Sequence, residues 1–194
     1  MKKTLYLMRH GQTLFNARRK IQGWCDAPLT ELGIHQAKIA GKYFQAHGIT
    51  FDHAYSSTSE RACDTLEYIT TMPYTRVKGL KEWNFGIYEG ESEDLNPPLP
   101  YGDYFKTYGG EGENEVRQRL ADTLESIMCK EDHVCVLAVS HGAACRSFMR
   151  YWEKNQKVES TKKIENCCIL KFEYEDHEFS LVEIVNHDFN QITE

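Results

Sequence analysis

Two histidines in this chain stand in matching settings. His10 lies in Arg9-His10-Gly11 and His141 in Ser140-His141-Gly142, each one residue beyond an apolar run. A neutral imidazole with one ring nitrogen free is a competent nucleophile toward phosphorus. Its other nitrogen should then donate to a fixed acceptor, and a backbone carbonyl is the simplest one. A second histidine serves better as a cation, donating to a phosphoryl oxygen as charge builds there. His10 is assigned as nucleophile and His141 as stabiliser, although position in the chain alone does not fix that order. Arg9 and Arg61 supply guanidinium groups, whose planar forks match phosphate oxygens and stay charged at any working pH. Two histidines and two arginines around one point suit a tetrahedral dianion. The leaving alkoxide needs a proton, which a carboxyl group of raised pKa can give. Glu82, in Leu80-Lys81-Glu82-Trp83-Asn84-Phe85-Gly86, has aromatic neighbours that would desolvate it and favour its protonated form. Glu89 is the second candidate.

These residues can meet only if the chain delivers them to one place, and its periodicity says how. Residues 4–9 and 133–140 read as buried strands, with further strands at 51–56, 75–78, 167–174 and 179–186. Asp176-His177 forms the turn between the last two. Helices are expected at 31–46, with Thr30 as N-cap and Gly48 closing it, and at 58–71, 113–130 and 142–153. Residues 10–29 read as irregular. The alternation of strands and helices predicts an α/β domain with a largely parallel sheet. Ligands in such sheets bind beyond the carboxyl ends of the strands. Three strand ends then place Arg9 with His10, Ser56-Ser57 with Arg61, and Ser140 with His141 on one rim. A single domain over 1–194 is expected, with an irregular excursion at 84–111 shaping the leaving-group pocket.

Composition removes other classes. With 41% hydrophobic and 27% charged residues the chain is globular rather than disordered. A net charge of -6 gives no basic footprint for nucleic acid, so an anionic ligand must be drawn by local arginines. No apolar run reaches membrane-spanning length, and the stretch after Met1-Lys2-Lys3 is too short for a secretory signal. Seven scattered cysteines, several in apolar runs, suggest reduced buried thiols and a cytoplasmic location. They show no zinc spacing; Cys167-Cys168 reads as an adjacent pair on a strand, facing opposite ways. His35, His47, His53, His133, His177 and His187 have no partner at ligand spacing and read as solvated or structural. Tyr101, Tyr104, Phe105 and Tyr108 form either a lid or a packed loop.

The motifs together resemble a known family. Arg9-His10-Gly11 with Thr13 and Asn16, then Gln22-Gly23-Trp24, Asp26 and Leu29-Thr30-x-x-Gly33, is similar to the amino-terminal signature of the histidine phosphatase superfamily. This is the branch of cofactor-dependent phosphoglycerate mutases and broad-specificity phosphatases. Ser56-Ser57 through Arg61-Ala62 and Thr65 resembles its second motif, Glu82 with Gly86, Glu89 and Gly90 its third, and Ser140-His141-Gly142 its last. The resemblance runs from residue 4 to about residue 150. It implies a phosphoglycerate mutase-like three-layer αβα sandwich with a mostly parallel central sheet. It implies a phosphohistidine on His10, phosphate contacts from Arg9, Arg61 and His141, and further donors in Asn16 and the Gln22-Gly23 backbone. It implies acid–base work by Glu82, a small phosphate ester as ligand, and neither metal nor cofactor.

The chain departs from that pattern in three places. Thr58 and Ser59 stand where Pro-Leu is frequent. The stretch from Glu82 to the helix at 113 is shorter than in typical mutases. The arginine pair that holds the carboxylate of a phosphoglycerate is missing: from Trp83 to Asn114 there is no arginine and one lysine, Lys106. A phosphatase, with water accepting the phosphoryl group, is therefore expected over a mutase or a phosphate-binding regulatory module. Glu89, Glu91, Glu93, Asp94 and Asp103 make the excursion acidic, and such a wall should disfavour highly anionic leaving groups.

Overall fold

The computed structural model describes residues 1–159 and 163–189. Its six strands are β1 (Lys3–Arg9), β2 (His53–Ser57), β3 (Thr75–Val77), β4 (Cys135–Ser140), β5 (Ile169–Glu175) and β6 (Glu178–Val185). They form one sheet in the order β3-β2-β4-β1-β5-β6. The first four are mutually parallel, whereas β5 and β6 run antiparallel. The helices are α1 (Leu14–Ala17), α2 (Glu31–Ala46), α3 (Glu60–Ile69), α4 (Glu113–Met128) and α5 (Gly142–Tyr151).

Alternation along the central strands builds the three layers. In β1, Leu5 and Leu7 face one side, where they pack with Leu120 and Leu124 of α4 and Phe148 of α5. Tyr6 and Met8 face the other side, among Ala37, Ala40 and Phe44 of α2 and Ala62 and Leu66 of α3. Val136 and Ala138 of β4 join the first core, and Leu137 and Val139 the second. A continuous apolar run buried on both faces is what a central parallel strand requires. A third, smaller cluster of Ile21, Trp83, Phe85, Phe105 and Val116 holds the excursion against the body. Among the described residues no helix is long and apolar enough to cross a membrane.

Local chemistry explains most boundaries. Thr30 caps α2 by accepting from the Gly33 amide, as its position suggests. The β5–β6 turn uses Asp176 and His177 at positive φ of 51° and 66°. Residues 10–29 are less irregular than expected. Thr13 and Asn16 form a reciprocal capping box that starts the single-turn helix α1. Cys167 and Cys168 precede β5 rather than lie in it, with Cys167 in a left-handed turn at φ 56°. They still divide between the two cores, and no disulfide joins any of the seven cysteines. Tyr101, Tyr104, Phe105 and Tyr108 are a packed loop: Phe105 is fully buried, edge-on to Tyr101, Tyr104 and Phe85.

Phe148 ties α5 to the sheet through Phe172 and Phe179, each with ring centroids 5.0 Å away. Phe148→Ala is expected to lower unfolding stability by about 3–5 kcal/mol in urea titration. A loss below about 1 kcal/mol would mean that α5 is anchored elsewhere.

Candidate active site

β1 and β4 are neighbours in the sheet, with Arg9 paired to Ser140. Their carboxyl ends therefore bring His10 and His141 together, with ring centroids 5.2 Å apart. The His10 backbone is fixed on both sides. Its amide donates to Ser140 O at 3.0 Å, and its carbonyl accepts from Cys167 N and Asn166 Nδ2, each at 3.2 Å.

The His10 ring is held in one tautomer. Nδ1–H donates to the Gly11 carbonyl at 2.7 Å, and Nε2 accepts from Arg61 Nε at 3.2 Å. Burial, then the Arg61 and Arg9 charges, hold His10 well below the ordinary histidine value of 6.5. His141 is held low by burial, Arg61 and His10. The expected cationic form of His141 is thus disfavoured in this geometry, first by burial and then by the Arg61 charge. Its Nε2 lies 2.8 Å from Ser57 Oγ, and Nδ1 has no partner. Ser57 Oγ already accepts from the Ser59 amide. Its hydroxyl proton can therefore serve His141 Nε2, which leaves Nδ1–H as a buried donor.

Arg61 is fully buried, at the second position of α3. It donates to Gly23 O at 2.7 Å, Cys25 O at 2.9 Å and Asp26 Oδ1 at 2.8 Å, besides His10. With those carbonyls turned inward, the amides of Gly23, Trp24 and Cys25 point away and donate to the Glu89 carboxylate at 2.7–3.0 Å. Glu89 also accepts from the Phe85 amide at 3.0 Å. Two expectations change here. Glu89 is a clamp on backbone amides rather than a second acid candidate, and the Gly23 amide is not open to phosphate. A Cβ at Gly23 would lie 2.2 Å from Trp83 O, so the close approach of these segments requires glycine.

Glu82 is buried beneath the start of α5. Its Oε1 accepts from the amides of Trp83 and Ala144 at 2.8 and 2.7 Å, and Oε2 from Ala143 at 2.8 Å. Burial raises its pKa above the ordinary carboxylate value of 4.5, while these amides and Arg61 pull the other way. Its segment is held by Arg119, which donates to the carbonyls of Gly79, Lys81 and Glu82 at 2.8–3.1 Å and pairs with Glu111 at 2.7 Å. Nothing in the local sequence singles out Arg119, because the carbonyls it holds lie about forty residues upstream.

A cavity of about 420 Å³ opens over these groups. Of the predicted residues, Arg9, His10, Asn16, Gln22 and Glu82 line it, whereas Arg61, His141 and Gly23 do not. Three nitrogens here are buried without partners: Arg9 Nε, Gln22 Nε2 and His141 Nδ1. The Gln22 amide is oriented by Thr13 Oγ1, which donates to its Oε1 at 2.6 Å, so its donors are the part left over. Asn16 commits Oδ1 to Thr13 N and Asn166 Nδ2.

The remaining lining corrects the picture of an acidic wall. Of the five acidic residues of the excursion only Glu93 lines the cavity; Asp94 pairs with Arg19 at 2.7 Å and Lys106 with Glu115 at 2.5 Å. Lys20, Arg146 and Arg150 line it as well, so with Arg9 it has four cations against two carboxylates, Glu82 and Glu93. Arg146 and Arg150 stand one turn apart on α5, outside the stretch where a clamp was sought in the sequence.

Comparison with known proteins agrees with this architecture. The model of the Histidine phosphatase superfamily (branch 1) matches residues 5–187. This chain belongs to that superfamily. It is 33% identical over 171 residues to the 2,3-bisphosphoglycerate-dependent phosphoglycerate mutase of Nitrobacter winogradskyi, covering 77% of this chain and 81% of that one. Among solved structures, a phosphoglycerate mutase from Bacillus anthracis superposes with a TM-score of 0.81 at 27% identity, over 93% of this chain and 92% of that one. A phosphoserine phosphatase from Entamoeba histolytica, in complex with 3-phosphoglyceric acid, gives 0.77 at 28% identity, over 95% and 98%. Superfamily members are enzymes of phosphoryl transfer, and both mutases and a phosphatase stand among these relatives.

The two depressed histidines predict how stability follows pH. Below about 6.5 each ring takes up a proton in the unfolded chain, whereas the folded chain keeps it neutral to lower pH. Stability is therefore retained above 6.5 and falls as pH drops below it, by at most about 1.4 kcal/mol per pH unit for each ring. Urea titrations from pH 7 to 5 should show a shallower decline for the His10→Ala/His141→Ala double variant than for the wild type. Equal slopes would contradict the assignment.

Proposed function

We propose that this chain is a phosphomonoesterase that hydrolyses a small phosphate ester through a covalent phosphohistidine on His10, with water as final acceptor. The observation that carries the reading is the state of His10. Its ring is neutral, its proton sits on Nδ1, and its Nε2 lone pair meets only one hydrogen-bond donor, Arg61 Nε. A phosphorus atom approaching Nε2 takes that donor's place, and the displaced Nε–H then faces the phosphoryl oxygens. Arg9 Nε, Gln22 Nε2 and His141 Nδ1 are available to the same oxygens without breaking any existing bond.

The Nε2 lone pair forms the N–P bond as the P–O bond to the leaving group breaks. Glu82 gives the leaving oxygen its proton. That proton belongs on Oε2, which accepts one amide where Oε1 accepts two. The resulting carboxylate, held by amides at a helix start, then takes a proton from water as that water attacks phosphorus and the N–P bond breaks. Inorganic phosphate leaves, and His10 regains its lone pair. The cavity volume falls in the range of small-ligand pockets.

A mutase remains the second reading, and the cations of the cavity wall favour it. Arg146 and Arg150 could hold an anionic leaving group in place until it receives the phosphoryl group back, and relatives of this chain carry mutase names. Phosphate release and the interconversion of 2- and 3-phosphoglycerate, measured on the same preparation, separate the two. Release should dominate across a panel of phosphate esters, and His10→Ala should lower it by about 10³-fold or more. Isomerisation far above release would establish the mutase, and half-activity in His10→Ala would mean another nucleophile.

A further inference from the structure

The amino ends of β2 and β4 lie on the rim of the sheet opposite His10, and they carry a second cluster of chemically able side chains. We propose that His53, Asp132 and His133 form a site for a divalent transition metal ion of the zinc type, separate from the phosphoryl-transfer site. His53 opens β2, and Asp132 and His133 lie in the turn before β4. Parallel pairing of β2 with β4, His53 against Val136, joins residues eighty positions apart. That separation hides the cluster from any reading of ligand spacing along the chain.

The geometry suits coordination. Nε2 of His53 lies 3.1 Å from Asp132 Oδ2, and Nδ1 of His133 lies 2.7 Å from Asp132 Oδ1. One ligand atom from each of the three residues falls within 4.8 Å of the others. Metal–ligand bonds of ~2.0–2.2 Å put tetrahedral neighbours about 3.4 Å apart, so small movements close these groups on an ion. The two rings stack at 3.7 Å with a 12° tilt, and both present a nitrogen to the same carboxylate. Imidazole nitrogens with one carboxylate select zinc, nickel or copper over magnesium or calcium.

His133 also has the support that ligating histidines have. It is buried, and its other nitrogen, Nε2, lies 2.6 Å from the Tyr55 hydroxyl, which accepts from Lys130 Nζ at 3.1 Å. When Nδ1 binds the ion, the ring proton shifts to Nε2 and donates to the Tyr55 oxygen, fixing the ring as second-sphere partners do. The Lys130 charge stays beyond Tyr55, one hydrogen bond removed from the ligands. Asp132 is exposed, so water completes the coordination. An ion here would tie the α4–β4 turn to the start of β2.

Calorimetric titration of the metal-stripped protein with zinc and nickel chlorides tests this. One equivalent should bind at micromolar metal and raise the melting temperature. His53→Gln and Asp132→Asn, both at partly or fully exposed positions, should each weaken binding at least about tenfold while leaving metal-free turnover unchanged. No binding at millimolar metal overturns the proposal. Binding that persists unchanged in both variants overturns it equally, since the ion would then lie at the His10–His141 pair or on cysteine thiols.

Discussion

A guanidinium group with no exposed surface must find hydrogen-bond acceptors and a countercharge inside the protein, and in this fold the buried Arg61 does so by reorganising three segments. It takes the carbonyls of Gly23 and Cys25, the carboxylate of Asp26 and the Nε2 of His10. Those carbonyls can face it only if the amides between them face outward, and Glu89 accepts them. Asp26 in turn accepts from the Glu60 amide at the start of the Arg61 helix. The chain from Arg61 to Glu89 thus links the His10 strand, the loop after it and the excursion. It also bears on the electrostatics at His10, since after burial the Arg61 charge is what most disfavours the cationic ring.

Beside that core, Arg9, Gln22 and His141 each hold a buried nitrogen without a partner. Buried nitrogen donors without partners are rare because each forgoes a hydrogen bond to water. Three gathered about one histidine, with four cations lining the cavity above it, describe a place prepared for an anion. The net charge of -6 belongs to the rest of the surface. Local arrangement therefore decides which ligand enters, and the bulk composition does not.

Much of this was legible in the chain. Apolar runs gave β1 and β4, Thr30 gave the start of α2, and strand ends gave the position of His10, His141 and Arg61. Those signals are local and physically strong. What escaped was set by distance in sequence. Glu89 reads as a second acid candidate until the Gly23–Cys25 amides fold over it. Arg146 and Arg150 carry no local signal, since only the packing of α5 beside the cavity gives them a place there. The acidic excursion reads as a wall until its carboxylates turn to solvent, to Arg19 or to backbone. His53 and His133 are ordinary residues until two parallel strands set them side by side.

The central claim is that His10 carries the phosphoryl group. Rapid alkaline quenching during turnover of p-nitrophenyl phosphate, followed by peptide mapping by mass spectrometry, tests it most directly. A base-stable, acid-labile phosphoryl group on the His10 peptide of the wild type, absent from His10→Ala, is the predicted result. An unlabelled wild type during turnover, or the same label in His10→Ala, would contradict it.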